Sequence, residues 1–194
     1  MAETVSETKV MDATRECIID KGIRGATVTE IARRAGVSRM TIYRRWESAE
    51  NLILDTHERE LRMRLKQAVD LANKGTFRQR LVTLLTNFVS IAGQNRLIPR
   101  VLATNSELPE PYATQYLERS HALFTGILRK YLSAGAADGS IGTRDPSLTT
   151  ALLMHVSKHL ISSGILDEPG TNLEALLKEI AFLFDSYLAP RRMR

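Results

Sequence analysis

With 194 residues, 43% of them hydrophobic and 25% charged, the chain has the length for one domain, or a small domain joined to a larger one, around a buried core. Its net charge is +5 and Cys17 is its single cysteine, which excludes an intramolecular disulfide. No apolar run approaches a membrane span, and residues 1–7 lack the basic and apolar regions of a signal peptide, so no membrane partner and a cytoplasmic location are expected.

Taken in chain order, apolar residues recur at helical spacing and almost nowhere at strand spacing, which predicts an all-α fold of about nine helices. The first, Glu7 to Lys21, turns Val10, Cys17 and Ile18 inward. Thr27 followed by Glu30 reads as a capping box opening a second helix to Ala35, with Val28, Ile31, Ala32 and Ala35 along one stripe. Gly36 supplies the positive φ of a sharp turn, and Ser38 caps a third helix reaching Trp46. Ile42 and Trp46, one turn apart, face inward and leave Arg39, Met40, Thr41, Tyr43, Arg44 and Arg45 outside. Ala32, Gly36 and Ile42 therefore stand at the spacing of a helix-turn-helix.

Further helices are predicted from Ser48 to Asn73, Thr76 to Gly93, Leu97 to Ala103, Glu110 to Ala134, Asp145 to Ser163 and Asn172 to Leu188. All six prolines lie beyond residue 98, between these segments. Charge is concentrated at the front. From Lys21 to Trp46 there are seven cations (Lys21, Arg24, Arg33, Arg34, Arg39, Arg44, Arg45) against Glu30 alone, a window of +6 in a chain of +5. A polyanion would be drawn to this window. Charge alone would favour a solvated basic face; the cap, the turn glycine and the buried spacing are what favour double-stranded DNA as partner.

An N-terminal helix followed by Thr-x-x-Glu-Ile-Ala (Thr27 to Ala32), Ala-Gly-Val-Ser (Ala35 to Ser38), Thr-Ile-Tyr (Thr41 to Tyr43) and an aromatic before a Ser-capped fourth helix resembles the TetR family of bacterial transcriptional regulators. The resemblance implies a helix-turn-helix three-helix head, residues 1–47, followed by a helical effector-binding and dimerisation domain, residues 48–194. It implies a homodimer, no cofactor, and a small-molecule effector that changes operator affinity. By similarity Arg39, Met40, Thr41 and Tyr43 meet bases and nearby phosphates, Thr29 and Arg45 flank them, and Thr27 caps the second helix at the DNA backbone. Arg39, at the helix start, suits a bidentate contact to guanine, and Met40 and the Thr41 methyl suit a thymine methyl. Arg44 is placed as reader or clamp. Ala49 stands where the family commonly has a lysine, so one phosphate contact is missing, with Arg44 or Arg45 as candidate replacements.

The last two predicted helices carry broad apolar stripes, Leu148, Ala151, Leu152, Val156 and Leu160 on one and Leu173, Leu176, Leu177, Ile180, Phe184, Tyr187 and Leu188 on the other. Leu152, Val156, Leu177, Ile180 and Phe184 are expected at a four-helix dimer interface, with plain core packing as the alternative. For the effector, Phe88, Tyr112, Tyr116 and Phe124 offer apolar and aromatic lining, and His121, Asn87, Asn105 and Gln115 are candidate polar anchors, which favours an apolar or amphipathic ligand. His155 and His159 have ligand spacing but no evident third ligand, so no metal is expected. No phosphate loop or nucleophile motif supports an enzyme. The two classes left are an effector-controlled regulator, in the first instance a repressor, and a helical small-molecule carrier without specific DNA recognition.

Overall fold

The structure is a computed structural model and describes residues 5–104, 108–142 and 145–190. Among the described residues it is entirely helical: α1 (Val5–Gly25), α2 (Val28–Ala35), α3 (Arg39–Tyr43), α4 (Ala49–Leu71), α5 (Phe77–Gly93), α6 (Leu97–Thr104), α7 (Glu110–Ala137), α8 (Pro146–Ser162) and α9 (Leu173–Leu188). No described helix is long and apolar enough to cross a membrane. The expected helices all form, with ends shifted by a few residues. The regular part of α1 stops where expected, because Gly22 leaves helical geometry at φ 75°. The regular third helix is five residues long, but Arg44 keeps helical angles at φ −64°, ψ −24° and the Trp46 amide still donates to the Ile42 carbonyl at 2.9 Å, so one further turn carries Trp46 into the core, 3% exposed.

Two compact units result, and they are not drawn at residue 47. The first comprises the chain up to Leu61 together with Arg96–Arg119; the second comprises Arg62–Asn95 and the chain from Ser120 onward. The first unit therefore adds the front of α4, α6 and the front of α7 to the three head helices. Ile18, Ile31, Ile42, Leu52, Leu97 and Val101, one or more from each of α1, α2, α3, α4 and α6, are fully buried in its core. Such side chains each contribute about 1.5–3 kcal/mol of apolar transfer, so five short or partial helices hold together without sheet or disulfide.

In the second unit α5 packs against α8 and α9, burying Leu81, Leu84, Leu85 and Phe88 of α5 with Ile161 of α8 and Phe184 of α9. Here the sequence reading needs correction. Ile180 and Phe184, expected at a dimer interface, are 5% and 1% exposed within a single protomer and belong to its own core. On α8 the protomer buries Thr150, Leu153, Ser157 and Ile161; of the expected interface residues there, Leu152 is exposed and Val156 half-buried. Leu148, Leu152, Phe182 and Leu183 are 59%, 44%, 69% and 53% exposed, and Leu177 is half-buried.

Candidate nucleic-acid interface

The helix-turn-helix is assembled by local hydrogen bonds that its residue types dictate. Thr27 sits extended at φ −76°, ψ 152°, and its hydroxyl accepts the Glu30 amide at 3.3 Å. The second half of the expected capping box does not form. The Glu30 carboxylate is taken instead by Arg33 at 2.7 Å and Lys21 at 3.0 Å, two cations that outcompete a neutral backbone donor. Those hydrogen bonds, Arg33 first and Lys21 second, hold the Glu30 carboxyl at about 2. Gly36 ends α2 in the left-handed region at φ 66°, ψ 34°, where a side chain would be strained. Ser38 then caps α3, its hydroxyl accepting the Thr41 amide at 3.0 Å and sharing a hydrogen bond of 2.9 Å with the Thr41 hydroxyl. That bond engages the Thr41 oxygen and leaves its methyl as the part free for a base.

The outward face is the one expected. Ile42 is fully buried, while Arg39, Arg44 and Arg45 are exposed with Met40 at 73% and Tyr43 at 48%. Thr27 and Thr29 at the start of α2 are exposed as well. A residue as apolar as Met40 at such exposure has no packing role in the protomer, which is the condition of a reading side chain.

The charge count changes once the helices are in place. Arg34 is tied to Asp20 at 2.7 Å and Glu16 at 3.4 Å, both on α1, Lys21 and Arg33 share Glu30, and Arg45 meets Glu7 at 2.9 Å. Among the described residues, Arg24, Arg39 and Arg44 are the cations of the Lys21–Trp46 window without an acidic partner. The sequence window overstated the basic surface because the neutralising acids lie upstream of it, one face of α1 away.

Two recesses flank α3. A wide one of ≈ 570 Å³ is lined by Thr27, Thr29, Tyr43, Ala49, Arg24, Glu47 and Glu50. A smaller one of ≈ 260 Å³ is lined by Thr41, Arg44 and Arg45 together with the first turn of α1. Arg44 and Arg45 line the smaller recess and Ala49 the wider one.

Behind the reading face, Trp46 is anchored by a chain of polar contacts that the sequence did not reveal. Its indole N–H donates to Asp55 at 2.9 Å, and Asp55 accepts from Arg119 on α7 at 2.7 Å. Ser48 caps the front of α4 by accepting the Asn51 amide at 3.2 Å and donates to the Tyr112 hydroxyl at 3.3 Å. Both links join the end of the reading module to the front of α7.

The five candidate effector residues make four different pairings. Tyr112 meets Ser48, and Tyr116, 2% exposed, lies against the buried His57 with ring centroids 4.8 Å apart, all in the first unit. In the second unit Phe88 and Phe124 pack edge to face at 4.6 Å. His121 there faces His155 at 6.1 Å, its pKa lowered by burial and by the neighbouring His155 and Lys158. Asn105 lies outside the described residues. Among the described residues no three His, Cys, Asp or Glu side chains gather as a metal cage. Cys17 is fully buried, and burial pushes its thiol up.

Residues 10–56 match the family model for bacterial regulatory proteins, tetR family. An uncharacterized HTH-type transcriptional regulator of Mycobacterium tuberculosis is 26% identical over 180 residues, covering 93% of each chain. The fatty acid degradation regulator FadR of Bacillus halodurans superimposes with a TM-score of 0.81 at 17% identity, covering 98% of this chain and 100% of that one. FadR of Bacillus subtilis, solved in complex with stearoyl-CoA, does so with a TM-score of 0.74 at 20% identity, covering 93% and 98%. At such identities the two structures show a shared fold.

Proposed function

From its membership of the tetR family of bacterial regulatory proteins, which makes the chain a DNA-binding transcriptional regulator, we propose that it is a repressor that holds a palindromic operator as a homodimer and is released by an amphipathic effector. The observation that carries the proposal is the α2–turn–α3 module. Arg39, Met40, Thr41 and Tyr43 stand outside a closed core, beside Arg44, which has no acidic partner among the described residues. Thr27, Thr29, Arg44 and Arg45 complete the contact set. A single module reads too few base pairs for useful specificity, and a two-fold dimer doubles the site. The apolar faces left outside on α8 and α9 are the proposed interface.

For the effector, the fold likeness to two fatty-acid regulators, one of them solved with stearoyl-CoA, supports an acyl-chain ligand. Phe88 and Phe124 are the proposed apolar contacts, with His121 as the polar one. Both α4 and α7 continue from the first unit into the second. Either helix can therefore carry a change at the effector residues to Asp55, Ser48 and Trp46, provided the ligand prefers one state of the protein.

Selection from a random-sequence duplex library by the wild-type protein tests the proposal. The expected product is a palindrome whose half-site centres lie one helical turn apart, roughly 34–36 Å, and stearoyl-CoA should lower the fraction bound. Binding with no enriched sequence would leave the carrier reading in its place.

A further inference from the structure

We propose that the recess between the first turn of α1 and α3 receives one phosphodiester of the DNA backbone on Arg45, and that Glu7 is the positioning residue for that contact. The proposal rests on the DNA-binding reading above but adds a part of the chain that it does not contain, since the family match begins at residue 10.

The recess holds ≈ 260 Å³, room for a phosphate group. Val10 and Trp46, 1% and 3% exposed, line it along with Ser6, Thr41, Glu7 and two arginines. Arg44 has no acidic partner among the described residues. Arg45 is held from behind: its Nε donates to Glu7 Oε1 at 2.9 Å, and its guanidinium carbon lies 5.6 Å from the centre of the Trp46 ring. Trp46 is itself fixed by Asp55. The bond to Glu7 is made by Nε, which leaves the end-on pair of terminal nitrogens, the fork that matches a phosphate, for an anion. An arginine braced on two sides loses less rotamer freedom when it closes on an anion.

Charge separates this recess from the other. This recess is lined by two arginines and one glutamate, whereas the wider one is lined by Arg24 with Glu47 and Glu50, and Ala49 there supplies no cation. The backbone contact is therefore carried on the α1 side.

The sign of the Glu7 effect decides the matter. An acid that merely sits near a polyanion repels it, and its removal tightens binding; an acid that positions a phosphate ligand weakens binding when it is lost. Affinities of full-length wild type, Glu7→Gln, Glu7→Ala, Arg45→Ala and the Glu7→Ala/Arg45→Ala double variant are measured against salt, on the selected duplex and on a random one. The random duplex keeps the test alive if selection yields no sequence, because a backbone contact needs none. Glu7→Ala should weaken binding about threefold to tenfold, with Glu7→Gln, which keeps an acceptor, in between. Arg45→Ala should lower the salt slope by about one, and Glu7→Ala should add nothing in that background. A duplex carrying one uncharged methylphosphonate should, at one position, bind wild type more weakly and leave Arg45→Ala indifferent. Tighter binding by Glu7→Ala, or an equal Glu7→Ala effect with and without Arg45, overturns the proposal. Thermal melts of each variant separate these outcomes from loss of the α1 turn.

Discussion

Replacing Leu152 and Phe182 together by glutamate should yield a folded monomer whose affinity for the selected operator falls by a factor on the order of 100 or more, because two linked half-site contacts become one. Both residues lie outside the protomer, 44% and 69% exposed, so the charges cost the monomer nothing that burial would impose. Phe184→Ala should do the opposite: it leaves the outer face untouched and opens a cavity under α5, at about 3–5 kcal/mol of stability. Sedimentation velocity and chemical denaturation read the two effects separately. A Leu152→Glu/Phe182→Glu protein that stays dimeric would move the interface off these faces. A Phe184→Ala protein of native stability would remove that side chain from the core.

Stability should also fall by about 3 kcal/mol between pH 6.5 and pH 4 on account of one imidazole. His57 is 2% exposed against Tyr116, its Nδ1 has no hydrogen-bond partner among the described residues, and burial lowers its pKa to about 4. In the unfolded chain it titrates near its ordinary 6.5. Between those values the unfolded state binds a proton that the native state refuses. The contribution is therefore fully present above pH 6.5 and is lost at about 1.4 kcal/mol per unit as pH falls toward 4. His57→Phe keeps an aromatic ring beside Tyr116 and should flatten this window. Parallel losses in wild type and variant would mean that the native imidazole is hydrated and charged.

The head was legible in the sequence because its signals are local. Thr27, Gly36 and Ser38 act on backbone groups within a few residues, and each is found with the geometry its type implies. What escaped depends on neighbours distant in sequence. Glu30 deserts the Thr27 amide for Lys21, and Arg34 for its part is held by Glu16 and Asp20 on α1; a window count of charge cannot see acids that arrive from another helix. Trp46, Asp55 and Arg119 form one chain across three segments, for which composition offers no cue. On α9 the stripe from Leu173 to Leu188 is the buried and half-buried side of the helix, so periodicity found the core face but could not tell a protomer core from a dimer interface. The exposed Phe182 and Leu183 fell outside it. On α8 the inward face is partly Thr and Ser, which hid the core side and made the outer stripe the more apolar one.

The central claim is that α3 reads sequence, and Arg39→Ala tests it most directly. Binding isotherms on the selected operator, on its single-position variants and on a scrambled duplex should show a loss of about 1–3 kcal/mol on the operator, a relaxed preference at one position, and little change on scrambled DNA. Equal losses on operator and scrambled duplex would contradict the account, because Arg39 would then hold the backbone rather than read a base.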